Sequence, residues 1–326
     1  MSFFDRVTGN KTSKTELSVE DAKLVDPKFS AKSFFKLGFA KLGVICRVNL
    51  FMLLLVLPIV FTLFGIAGSF FGKQIADLTT TPTSHLYSHY NGISAYENSA
   101  SLDVASTAHS IITTVNVDNV ATIILKCIGL IVVFTFGPLN VGCAYVLRNT
   151  IKEKPVFPWH DFFYAIRKNL RQSIIFGIID LIFLIAIPYS LMWYYTRAFT
   201  FSMKMLLFAM IIIALLYLIM RVYIYLMIVT FDLSFRKLFK NAFILSSAGI
   251  KRSFVMVIGV SVLLIISVYL YILLKSLGVL LPCIFTVAFG MYICYYCAYP
   301  VVKKYMIDPY YDNEGNPKEA QEQQSV

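Results

Sequence analysis

Six long apolar blocks dominate this chain, at about 43–71, 120–147, 172–195, 205–230, 253–275 and 279–302. Each is long enough to cross a hydrocarbon core of roughly 30 Å at roughly 1.5 Å per helical residue. In lipid such a segment must satisfy its backbone groups internally, which restricts it to the α-helix. The expected fold is therefore all-α: a polytopic membrane protein with a six-helix transmembrane bundle. A β-barrel would instead show short segments of alternating polarity. Composition agrees, with 58% hydrophobic and only 14% charged residues in 326 and a mean hydropathy of +0.72; a soluble chain carries roughly a quarter charged residues.

The net charge of +11 raises the question of nucleic acid. The distribution points elsewhere, because the basic residues sit beside the apolar blocks and no folded basic domain exists to hold a duplex. Before the first block lie nine Lys/Arg, and 23 of the 29 fall in that segment, between blocks two and three, between four and five, or after six. The opposite side holds Lys73, Arg197, Lys204 and Lys275, while Lys126 and Arg221 lie within helices. The positive-inside rule then makes both termini cytoplasmic and places 72–119 outside. The first forty residues are polar and lysine-rich without an apolar core, so no cleavable signal is expected and the first helix directs insertion. The organisation expected is a cytoplasmic tail at 1–28, a membrane domain at 29–311 and a second tail at 312–326.

Each odd-numbered block follows a short basic, phenylalanine-rich stretch: FSAKSFFKLGFAKLG (29–43), DFFYAIRKNLRQS (161–173) and SFRKLFKNAF (234–243). Phe162, Ile166 and Leu170 recur every four residues, and Phe235, Leu238, Phe239 and Ala242 share one face. The pattern predicts short interfacial amphipathic helices on the cytoplasmic side, in contact with anionic lipid headgroups. A plain extension of each spanning helix is the simpler alternative.

Two charges fall inside blocks. Asp180 lies about eight residues from the cytoplasmic end of helix three, roughly 12 Å deep. Arg221 lies about nine residues from the matching end of helix four, roughly 13 Å deep. Consecutive antiparallel helices are neighbours, so the two should pair. Asn140, Ser261 and Tyr295 reach a similar depth, and Tyr217 and Tyr225 flank Arg221 by one turn each way. Together these seven residues form a candidate polar layer. Two readings stay open: interhelical glue that sets helix register, or a site for a substrate, ion or proton.

Other chemistry is scarce. The six cysteines lie in or beside apolar blocks, so no disulfide framework follows, and the CxxC of Cys294 and Cys297 reads as helix packing. His85 and His89 in HLYSH have a metal-compatible spacing, with His109 a third possible ligand, but a solvated outer loop explains them better. No metal and no cofactor is expected. There is no HExxH, GxSxG or P-loop, and His160 beside Trp159 reads as an interfacial anchor.

Four stretches in order, RVNLFMLLLVLPIV (47–60), FGPLNVGCAYVLRNTIKEKPVFPWHDFFYAIRKNLRQS (136–173), YIYLMIVTFDLSFRKLFKNAFIL (223–245) and YPVVKKYMIDPYY (299–311), resemble the YesL-like family of bacterial membrane proteins, a domain of unknown function in clostridia-type bacteria. The resemblance spans about 34–311. It implies a bacterial plasma-membrane protein whose relatives are often encoded beside carbohydrate-uptake systems, with a carbohydrate ABC transporter as the implied partner. It implies no catalytic residues. The positions it singles out are Asn49 and Pro58; Gly137, Pro138, Gly142 and Arg148; Asp161, Phe162 and Asn169; and Phe231, Asp232, Lys240 and Asn241. Physically, Pro138 should kink its helix, Gly137 and Gly142 should admit close helix approach, and Asp161 and Asp232 should act as N-caps. The expected function is that of a non-catalytic accessory or regulatory component, the alternative a small solute transporter or channel using the polar layer.

Overall fold

The computed structural model describes residues 29–67, 120–274 and 285–310. The expectations on 1–28, on 72–119 with its three histidines, on 279–284 and on 312–326 lie outside the described residues. Within them the protein is all-α, and no strand occurs among the described residues. Nine α-helices follow in order: α1 Ala31–Ala40, α2 Leu42–Ala67, α3 Val120–Ile151, α4 Pro158–Lys168, α5 Leu170–Thr196, α6 Phe201–Ile228, α7 Phe235–Ala248, α8 Ile250–Leu274 and α9 Val287–Val302. A π-helical turn, Lys303–Ile307, continues α9.

α2, α3, α5, α6 and α8 are long and apolar enough to cross a bilayer, which makes this a multi-pass membrane protein. The sixth expected span is represented by α9, whose described length is 16 residues.

The chain divides into two compact units, 1–55 with 133–326, and 56–132. In the smaller unit the Thr62 hydroxyl donates to the carbonyls of Pro58 (2.8 Å) and Leu125 (3.3 Å). Gly129 lies directly against Thr62, so α2 and α3 touch there through small residues.

The larger unit carries the core. The three basic, phenylalanine-rich stretches form helices of their own rather than extensions. Each is broken from the next spanning helix at one residue: Lys41 (φ −107°, ψ 16°), Asn169 (φ −112°, ψ 18°) and Gly249 (φ −93°, ψ 20°). At each break the same bonds recur. The residue's N–H donates four back (Lys41 to Leu37, 2.9 Å; Asn169 to Ala165, 3.1 Å; Gly249 to Leu245, 2.8 Å), and its carbonyl accepts from four ahead. Three short helices thus lead into three spanning helices by one repeated device, although their sequences are hardly alike.

The short helices bury a stripe rather than a full face. α4 buries Pro158, Phe162 and Ala165. α7 buries Leu238, Asn241, Ala242, Leu245 and Ser246, the helical i, i+3, i+4, i+7, i+8 pattern. The predicted stripes are shifted accordingly: Leu170 is exposed, and Phe235 and Phe239 are only half-buried. The two expected N-caps are also corrected. α4 starts at Pro158, whose fixed φ and missing N–H suit the first helical position, and Asp161 reaches back one turn to accept the Phe157 N–H at 3.0 Å. α7 starts after Ser234, leaving Asp232 exposed and two residues too early.

Close approach between spanning helices rests on glycine. A Cβ on Gly137 would lie 1.8 Å from the Ser173 carbonyl oxygen, and Gly177 faces Gly137 across the same contact. Only hydrogen at both positions lets α3 and α5 meet at backbone distance. Gly142 likewise leaves room for the Phe162 ring of α4. α1 docks on α9 through stacked Phe34 and Tyr292 (5.1 Å), and the Tyr292 and Tyr296 hydroxyls donate to the carbonyls of Phe34 (3.1 Å) and Ser30 (3.2 Å).

Candidate functional site

Helical periodicity builds the site. Tyr217, Arg221 and Tyr225 stand at i, i+4 and i+8 on α6 and so share one face. Ser173, Phe176, Gly177 and Asp180 form the buried stripe of α5. α5 and α6 pack side by side, and the Gly137–Gly177 contact one turn away seats α5 against α3.

Asp180 is completely buried, and its two oxygens are shared among three side chains. Oδ1 accepts from the Tyr217 hydroxyl (2.7 Å) and Arg221 Nε (3.0 Å). Oδ2 accepts from the Tyr225 hydroxyl (2.7 Å) and Arg221 Nη2 (2.8 Å), with Nε also at 3.3 Å. The guanidinium thus grips the carboxylate in a two-pronged fashion, the strong and directional form of this contact. Its flat face lies near the rings of Tyr225 (5.7 Å) and Phe136 (5.9 Å). Arg221 keeps 20% of its side-chain surface exposed, against 0% for Asp180.

A buried ion pair is tolerable only when the remaining lone pairs and protons are also satisfied. The two tyrosines do that for the carboxylate. As a result Asp180 has no oxygen free to take a proton or a ligand without first losing a donor.

The other expected members divide. Tyr295 on α9 is buried and within electrostatic reach of both Arg221 and Asp180. Asn140 is buried but donates to the Phe136 carbonyl of its own helix at 2.7 Å; it serves the α3 backbone beside Pro138 rather than the ion pair. Ser261 is exposed on α8 and takes no part in the cluster. Depth along a helix gives height but not direction, and α8 is apolar on every side, so nothing in its sequence showed where Ser261 points.

Sequence reasoning missed the partners of two further buried polar groups. Asn49 of α2 accepts the Ala288 N–H at 2.8 Å, supplying an acceptor to the first turn of α9. Arg148, 5% exposed, donates to the Val229 carbonyl and to Thr230 Oγ1 (3.2 Å), closing the C-terminus of α6, where positive charge is favoured. The available signal was positional: each is a polar residue inside, or at the end of, an apolar run. Gly177 was equally legible, as it continues the stripe of Asp180 one turn earlier.

Cys143 is buried with its thiol 3.1 Å from the Met291 sulfur, and the five described cysteines are free thiols. No group of three or more His, Cys, Asp and Glu with metal-site geometry occurs among the described residues.

No family model matches the chain, and no curated protein or solved structure does so either. The fold and site define a multi-pass helical membrane protein with a buried, four-donor carboxylate.

Proposed function

We propose that this protein is a non-catalytic accessory or regulatory component of a bacterial plasma membrane, a YesL-like protein working beside a carbohydrate ABC transporter. Its basic end, including both termini, faces the cytoplasm. The ion pair acts as an internal lock between α5 and α6 rather than as a substrate or proton site.

The observation that supports this reading is the saturation of Asp180. A carboxylate that relays protons or binds a cargo has to exchange partners, and this one is buried under four short donor contacts from Tyr217, Tyr225 and Arg221. Purified protein in liposomes should give no solute flux above empty vesicles, while affinity capture from the native membrane should recover transporter subunits. Flux from the protein alone would overturn the reading and favour a small solute transporter, which the part-exposed Arg221 edge would then serve. Orientation is tested by single cysteines at Ser88 and Ser325 with an impermeant thiol reagent on intact cells. Position 88 should react and 325 should not; the reverse pattern would invert the topology.

A further inference from the structure

The ion pair leaves one surface of the larger unit unexplained. Beside the start of α2, the first turns of α4 form two adjoining hollows that share Trp159 and His160. One is lined almost wholly by apolar atoms, with Phe51 in its wall and Arg47 at its edge. The other, more polar, runs along α4 past Phe163 to Arg167.

The floor is rigid. The Phe51 ring lies 4.7 Å from Phe162 and 5.3 Å from Trp159, and Trp159 lies 5.0 Å from Phe163. Phe162 itself is wedged against Gly142 of α3. The top is open: Trp159 is 69% exposed and the His160 side chain 78%. Most exposed apolar residues of the spanning helices are aliphatic. Here exposed aromatic rings stand among three basic side chains. The acid on the same turn, Asp161, is occupied: its Oδ2 accepts the Phe157 N–H and its Oδ1 lies 3.5 Å from His160 Nδ1.

We propose that this groove binds one anionic phospholipid. An acyl chain lies across Phe51 and Trp159, and the headgroup phosphate sits against His160 and Arg167, with Arg47 at the rim. Two considerations select this occupant. An apolar hollow continuous with a basic one matches an amphiphile rather than a free anion or a peptide. The charge balance, two arginines against one engaged carboxylate, matches a negative headgroup, and arginine holds phosphate in a directional, two-pronged contact. The location agrees as well, since tryptophan and arginine beside a spanning helix mark the headgroup level of a bilayer.

The chain has two tryptophans, so Trp193→Phe leaves Trp159 as the only strong emitter. In mixed vesicles at equal mole fraction, dibrominated phosphatidylglycerol should quench Trp159 at least about twofold more than dibrominated phosphatidylcholine. Arg47 and Arg167 are both exposed, so Arg47→Gln/Arg167→Gln should fold normally and lose the preference while still being quenched by both lipids. Arg171→Gln, off the groove, should keep it, and glycerol phosphate in solution should not compete. Equal quenching by the two lipids, a preference that survives the double substitution, its loss in Arg171→Gln, or displacement by glycerol phosphate would each overturn the proposal.

Discussion

The two halves of α6 are written in nearly the same apolar alphabet and behave differently. In the first half, Phe201, Phe208, Ile212 and Ile213 are 75, 59, 66 and 55% exposed. In the second, every residue from Tyr223 to Ile228 is at most 3% exposed. In a bilayer such an exposed half meets lipid tails, which are as apolar as leucine and so give helices no hydrophobic reason to associate. The second half is covered because something more specific holds its neighbours in place. Tyr217, Arg221 and Tyr225 converge on Asp180 of α5, while α7 folds back on the helix and α9 packs beside it. In a membrane, then, polar contacts and glycine-mediated approach determine where the helices meet, and apolar residues fill whatever surface results.

That contrast can be broken at several strengths. Gly137→Leu should have the largest effect: its side chain would occupy the space of the Ser173 carbonyl and Gly177 backbone, and no monodisperse folded protein should survive detergent extraction. Asp180→Asn should follow, leaving the part-buried Arg221 charge without its carboxylate and costing about 3–5 kcal/mol in a detergent unfolding titration. Tyr225→Phe removes one hydrogen bond to a charged acceptor and should cost about 1.5–3 kcal/mol by the same measurement. Phe208→Leu in the lipid-facing half should change stability by less than about 0.5 kcal/mol. A cost at Phe208 equal to that at Tyr225 would erase the distinction between the halves.

The element pattern was legible because long apolar blocks in lipid have one backbone solution, and basic aromatic stretches before three of them marked separate short helices. Their starts were harder to read. Proline at position 158 is a better start signal than the aspartate three residues on, and Ser234 rather than Asp232 precedes α7. Within the site, Asp180, Arg221 and the two tyrosines could be paired from height and helical spacing alone, since consecutive helices are neighbours and i±4 residues share a face. Ser261 and Asn140 had the right height and the wrong engagement. A uniformly apolar helix has no polar face to orient it, and Asn140 finds a carbonyl acceptor four residues back in its own helix, a local alternative that depth matching cannot see.

The most direct test of the lock between α5 and α6 is a double-mutant cycle in unfolding free energy on Asp180→Asn and Arg221→Gln. If the pair is the lock, each single variant leaves an unmatched group in the bundle and the double variant regains part of the loss, giving a coupling of about 1–3 kcal/mol. Strictly additive losses, with no recovery in the double variant, would mean that Asp180 and Arg221 do not hold the two helices through each other and would contradict the account.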